Sequence, residues 1–223
     1  MAPRILIVCC HATPGTRGGV LVATLLAHLQ QAGMDCRLSD LAAQAFGALG
    51  GPGDFIYPQL AQSYREAQKL AAASAGFAPE IAEQQALLRW AEHVVFVFPL
   101  RFFGMPALMK GWMERVLARG FAYGGAMEYA SGGMQGKHAH ALITAAAAAA
   151  DYGPGGKHIA LDSMLAAVFD LPMSYVGFSL GQRDVLCGVE GDSAALFYER
   201  TDRHAAAVVA RIQGQSCSEE RVA

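Results

Sequence analysis

Charge is scarce in this chain: of 223 residues, 17 are Lys or Arg and 19 are Asp or Glu, a net charge of −2. No basic stripe runs along any segment, which argues against a nucleic-acid partner, because such a partner demands cations against its phosphates. Cysteine is also sparse. The five cysteines, at 9, 10, 36, 187 and 217, form no CxxC pair and no metal-ligand spacing. An odd count, with no export leader before Ile5, points to reduced thiols and a cytoplasmic setting. Long apolar runs are missing: the longest nearly uncharged stretch, Gly18 to Met34, includes His28, Gln30 and Gln31, so stable membrane insertion is not expected. Neither GxxxxGK followed by Ser or Thr nor GxGxxG occurs, which disfavours a P-loop and a Rossmann-type dinucleotide loop. No repeat recurs at a fixed period, and Ala145 to Ala150 is the one low-complexity run. His138 and His140 stand two apart on one strand face, but that is no recognised metal spacing, and no metal is expected.

What the chain does have is apolar mass. Hydrophobic residues make up 53% and mean hydropathy is +0.26, enough for a layered core and a subunit interface, so a homodimer is expected. Residues 1–212 read as a single domain and 213–223 as a disordered tail. Arg4 to Cys9 and His93 to Phe98 are continuous Ile/Val/Phe runs, the pattern of strands buried on both faces. Met34 to Leu38, Ala139 to Thr144 and Met173 to Phe178 complete five expected strands. Helices are expected from Leu21 up to a stop at Gly33, and over Tyr57 to Ala75, Glu80 to Trp90, Pro106 to Ala118, Ile159 to Phe169 and Ser193 to Ile212. Gly47 to Gly53 reads as a loop that could border a site. Strands alternating with helices imply right-handed βαβ units, hence an α/β, flavodoxin-like three-layer sandwich: a five-stranded parallel sheet with helices on both faces.

Ligands of such sheets bind outside the carboxyl ends of the strands. After the first strand, Cys10-His11-Ala12-Thr13-Pro14-Gly15-Thr16-Arg17-Gly18-Gly19 gathers hydroxyls, free N–H groups, an arginine and a helix start, chemistry suited to phosphate or to a plain helix cap. After the third strand, Pro99-Leu100-Arg101-Phe102-Phe103-Gly104-Met105-Pro106 puts aromatics where polar turn residues are usual, as a flat aromatic ligand or an interface would require. After the fourth, Thr144 leads through the alanines to Asp151-Tyr152-Gly153-Pro154-Gly155-Gly156-Lys157-His158, a loop with a phenol and an imidazole able to donate to an anionic ring.

The run Phe98-Pro99-Leu100-Arg101-Phe102-Phe103-Gly104-Met105-Pro106-Ala107-Leu108-Met109-Lys110-Gly111-Trp112-Met113-Glu114-Arg115-Val116, followed by Gly120-Phe121-Ala122-Tyr123, resembles the FPLxWFGxPAxLKGWxxRV…FAY signature of the flavin-dependent NAD(P)H:quinone oxidoreductases. His11, Asp40-Leu41 with Phe46, Glu80-Ile81 with Glu83-Gln84, Thr144, Tyr152, His158 and Gly177-Phe178 extend the resemblance over residues 4 to 180.

The resemblance implies FAD, with FMN admitted, and NAD(P)H as electron donor. His11, Thr16, Arg17 and Gly18 would meet the diphosphate, and Pro99, Leu100, Arg101, Phe102 and Phe103 the ring system. Backbone N–H groups of Thr144, Ala145, Ala146 and Ala147 would face the N1/O2 edge. Tyr152 and His158 would be the catalytic pair that stabilises reduced flavin in a ping-pong transfer of two electrons to a quinone-like acceptor. That acceptor would bind near Arg101, Phe103 and Tyr123 at a dimer interface.

The chain departs from the family pattern in four places. Thr16-Arg17-Gly18 replaces a serine-aromatic-asparagine triplet, and Ala145-Ala146-Ala147 replaces Thr-Gly-Gly. Phe102 stands where tryptophan precedes Phe-Gly, and Gly125 where some relatives carry a gating tyrosine. Two other readings follow. One is a regulatory flavoprotein subunit on a membrane transporter, as in potassium-efflux systems. The other is a relative with a lost or repurposed flavin site, acting on an anionic metabolite through Arg101, Tyr152 and His158.

Overall fold

The computed structural model describes residues 2–10, 13–57 and 63–219. His11, expected at the diphosphate, lies outside them. Chain order is β1 (Arg4–Cys9), α1 (Arg17–Gln31), β2 (Asp35–Asp40), α2 (Tyr64–Ser74), α3 (Pro79–Trp90), β3 (His93–Pro99), α4 (Ala107–Val116), β4 (His138–Ala145), α5 (Leu161–Leu165), α6 (Leu171–Tyr175), β5 (Ser179–Cys187) and α7 (Ala194–Glu219). The strands lie in the order β2-β1-β3-β4-β5, every pair parallel. This is the flavodoxin-like arrangement expected from the sequence.

Alternation along the inner strands builds the three layers, because successive side chains point to opposite faces. Leu6, Val8, Val94, Phe96 and Phe98 face one side, where they meet Trp112 of α4 and Phe169. Ile5, Ile7, Val95 and Val97 face the other, against Leu25 and Leu29 of α1 and Val208 and Ile212 of α7. The edge strands β2 (DCRLSD) and β5 (SLGQRDVLC) carry charge instead, which discourages pairing with another sheet.

That polarity explains the main departure from the sequence-based expectation. The fifth strand is not Met173 to Phe178 but Ser179–Cys187. Met173 belongs to α6, and Pro172 stands inside a helical run that widens to a π-turn over Ala166–Asp170. Proline cannot donate to the helix ladder, and a locally widened turn is a common way to absorb that loss. Helix ends differ as well. The first helix of the 57–75 region starts at Tyr64, where Ser63 caps it by accepting from Glu66 N–H. At the other end α7 runs to Glu219, through the first residues of the segment expected as a tail. Once the packed turns to Ile212 exist, each added helical residue costs little.

The glycine-rich stretch 47–53 lines neither of the two cavities described below. It is fastened to α4 by Arg115, which is buried. The Arg115 Nη1 donates to the Gly47 carbonyl at 2.6 Å, Nη2 to Asp54 at 2.8 Å and to Glu80 at 2.7 Å, and Nε to Asp54 at 3.0 Å. Gly111 permits this close approach, since a β-carbon there would lie 2.1 Å from the Ala48 carbonyl oxygen.

Candidate active site

The carboxyl ends of β1, β3 and β4 open into a cavity of about 380 Å³. Its β1 wall is Cys10, Thr13, Thr16, Arg17 and Gly18; its β3 and β4 walls are Pro99, Leu100, Arg101, Thr144 and Ala146. Residues from all three loops singled out in the sequence therefore meet at one place, but the expected site residues Phe103, Tyr152 and His158 are not on its lining. Leu100 N–H donating to the Thr144 carbonyl at 2.8 Å joins two of the loops.

Thr16 caps α1: its hydroxyl accepts from Gly19 N–H at 3.2 Å and donates to the Thr13 carbonyl at 2.6 Å. Arg17 and Gly18 at the start of the helix line the cavity, and a helix start, with unpaired N–H groups and the positive end of the dipole, is a natural seat for an anion. Arg17 is held in place, donating to the Asp192 carbonyl at 2.9 Å and lying over the Phe197 ring at 4.8 Å. Burial first, then the charge of Asp40, pushes the Cys10 thiol up to about 12, so it is no nucleophile at neutral pH.

The turn after β3 is a two-residue hairpin. Arg101 and Gly104 exchange N–H···O bonds of 2.9 Å each. Between them Phe102 (φ +47°) and Phe103 (φ +62°) occupy the left-handed region, where a non-glycine residue costs about 1–2 kcal/mol. Turns of this kind usually carry Asn-Gly. The Phe102 ring stands fully in solvent and does not line the cavity. Phe103 packs on His158 with ring centres 4.9 Å apart, and His158 lies 5.3 Å from Tyr152.

That pair sits on a closed loop. His158 N–H donates to the Asp151 carbonyl at 2.8 Å and Gly153 N–H to the His158 carbonyl at 3.0 Å. The Asp151 carboxylate accepts from Ala148 N–H at 3.1 Å and pairs with Lys157 at 3.0 Å. Lys157 holds the Asp151 carboxyl below its usual value, while burial raises the Tyr152 phenol above its own. Tyr152 therefore stays a proton-bearing donor at neutral pH. The alanine run needs no glycine backbone, since none of Ala145 to Ala150 has a positive φ. Ala145 is buried at the end of β4, and the Ala147 carbonyl accepts from Gly188 N–H at 2.7 Å.

Tyr123 is not brought to this cavity within one chain. It lies beyond α4 in a second cavity of about 340 Å³ with Tyr64, Met113 and Tyr175, under the Arg65 guanidinium at 5.7 Å. The intervening length of α4 carries it away from the strand ends. Sequence reasoning missed Val189 and Glu190, which also line the first cavity. They follow the true β5, after the positive-φ Gly188, and misplacing that strand hid them.

A profile of the flavodoxin-like fold family matches residues 3–209. The chain is 30% identical over 197 residues to NAD(P)H dehydrogenase (quinone) 1 of Cavia porcellus, across 83% of this chain and 69% of that protein. It is 33% identical over 160 residues to ribosyldihydronicotinamide dehydrogenase (quinone) of Pongo abelii, across 67% of this chain and 66% of that protein. The matched part thus spans about two thirds of these relatives' length. Among solved structures, a Klebsiella pneumoniae protein described as a quinone reductase superposes with a TM-score of 0.86 at 32% identity, covering 95% of this chain and 84% of that one.

Proposed function

The chain belongs to the NAD(P)H:quinone oxidoreductase family of flavodoxin-like fold, an oxidoreductase-like enzyme of that kind, and from this premise we propose that it reduces a quinone-like acceptor with NAD(P)H through a bound FAD. The observation that carries the proposal is one cavity joining an anion-suited helix start to an apolar β3 wall; the hairpin that gives it Arg101 also carries Phe103, which packs on His158 next to Tyr152. The residues suit a flavin. The first-turn N–H groups of α1 meet the demands of phosphate, Pro99 and Leu100 offer an apolar plane, and the alanines after β4 adopt ordinary backbone. Bound there, a flavin supplies the two-electron relay between nicotinamide and quinone.

In this reading Tyr152, which keeps its phenolic proton at neutral pH, would serve as a hydrogen-bond donor to a bound flavin, with His158 beside it as second donor. Phe103 packs on His158 and so sets the imidazole plane. The hairpin strain at Phe102 and Phe103 is the cost of presenting aromatic rings at that corner. The second cavity, apolar and rich in tyrosine, supports a homodimer in which Tyr123 of the partner subunit borders the acceptor cleft.

Initial rates measured against NAD(P)H at several quinone concentrations are expected to give parallel double-reciprocal lines. Tyr152→Phe is expected to lower kcat about 100-fold, the usual loss when one donor to a developing anion is removed, with unchanged melting. Intersecting lines, or a Tyr152→Phe enzyme as fast as the parent, would contradict the reading.

A further inference from the structure

Arg101 stands apart from the other arginines of this protein. Every other described arginine has a carboxylate, carbonyl or ring partner: Arg17 has Asp192 and Phe197, Arg37 has Trp90, Arg115 has Asp54 and Glu80, Arg200 has Asp192. Among the described residues none pairs with the side chain of Arg101, although it lines the cavity. Glu190, the carboxylate on the same cavity, forms no ion pair with it.

The side of the cavity that Arg101 serves follows from the strand order. The β3 loop lies between the β1 loop and the β4 loop, because β3 lies between β1 and β4. One hairpin turn divides its side chains between these neighbours. Phe103 goes to the β4 side, against His158. Arg101 goes to the β1 side, where its charge is felt at the Cys10 thiol and opposes the upward shift caused by burial. That is also the side of Thr13, Thr16 and the first turn of α1.

We propose that Arg101 binds a phosphate of the flavin nucleotide, closing the anion seat at the start of α1 from the opposite wall. The proposal rests on the flavin reading above and deepens it. A helix start offers N–H groups and a partial charge only, and Arg17 is committed to the Asp192 carbonyl and the Phe197 ring. Arg101 supplies a full, uncommitted charge with a fork of donors that matches phosphate oxygens. This also separates its role from that of Tyr152 and His158, which lie on the β4 side with Phe103.

The test is fluorescence titration of the full chain, freed of bound flavin, with FAD, FMN and riboflavin. Arg101→Gln is expected to weaken FAD and FMN about 10- to 100-fold, the range for a lost hydrogen bond to a charged group, while riboflavin changes less than about twofold. Arg101→Lys is expected to recover part of the loss, since it keeps the charge without the fork. Added salt is expected to weaken FMN binding less in Arg101→Gln than in the parent. Equal weakening of riboflavin and FMN would overturn the proposal. So would unchanged flavin affinity with a raised KM for acidic quinones, which would make Arg101 an acceptor-reading residue. A parent chain that binds none of the three flavins would overturn the flavin reading itself; a parent that binds them with Arg101→Gln indistinguishable would overturn only the role of Arg101.

Discussion

Arg115 and Arg101 lie on one continuous sequence motif, and the fold treats them in opposite ways. Arg115 is buried with every partner supplied: Asp54, Glu80 and the Gly47 carbonyl, with the Phe46 ring 4.6 Å away. Arg101 is exposed on a cavity wall, on a strained turn, its side chain without a partner among the described residues. The same contrast separates His93 and His140, buried within the sheet and hydrogen-bonded to each other at 3.1 Å, from His158, half-buried on the loop after β4. Polar groups that are sealed in and satisfied hold the fold together, and polar groups left open at the strand ends are available to a ligand.

Breaking a sealed group is expected to have the largest effect. Arg115→Ala leaves Asp54 buried with its charge unpaired, and a loss of about 3–5 kcal/mol is expected in urea unfolding. A loss below about 1 kcal/mol would mean that the network is not sealed in solution.

The buried imidazoles sharpen the comparison through pH. Burial first, then the neighbouring His93, His138 and Arg211, pushes His140 down from 6.5 to about 3, while Asp184 opposes the shift. Below pH 6.5 the unfolded chain therefore binds a proton that the folded chain refuses, and stability falls as pH drops from 6.5 toward 3. The slope from this group is at most about 1.4 kcal/mol per pH unit. Relative to a His140→Gln variant, the parent is expected to lose stability across that window. Parallel stability curves for the two proteins would show that His140 takes up its proton without cost.

The smallest expected effect has the opposite sign. Phe102→Gly removes a β-carbon from a residue at φ +47° and is expected to raise stability by about 1 kcal/mol, or about 2–4 °C in Tm for a chain of this size. A lowered Tm would mean that the exposed ring is packed in solution, as a subunit interface would pack it.

Much of this was legible in the sequence, for identifiable reasons. Both faces of β1, β3 and β4 are buried, so their apolar runs announced central strands, and the loops following them converge as the parallel topology requires. β5 escaped because an edge strand tolerates Arg183 and Asp184, and because Pro172 looks like a helix stop when it sits within one. Val189 and Glu190 were lost with it. The Arg115 network could not be read, since Asp54 and Glu80 carry no spacing signal relative to Arg115 and meet it only through the packing of α3 and a loop on α4. Tyr123 was read as bordering the acceptor cleft, yet within one chain it lies in a separate cavity. A single sequence gives no sign of which subunit a side chain serves.

The central claim is that the cavity at the strand ends holds a flavin, and an absorption spectrum of the purified protein from about 300 to 550 nm tests it most directly, with release and identification of the chromophore. The account predicts the two bands of oxidised flavin and release of FAD. A flat spectrum that added FAD cannot restore would contradict it.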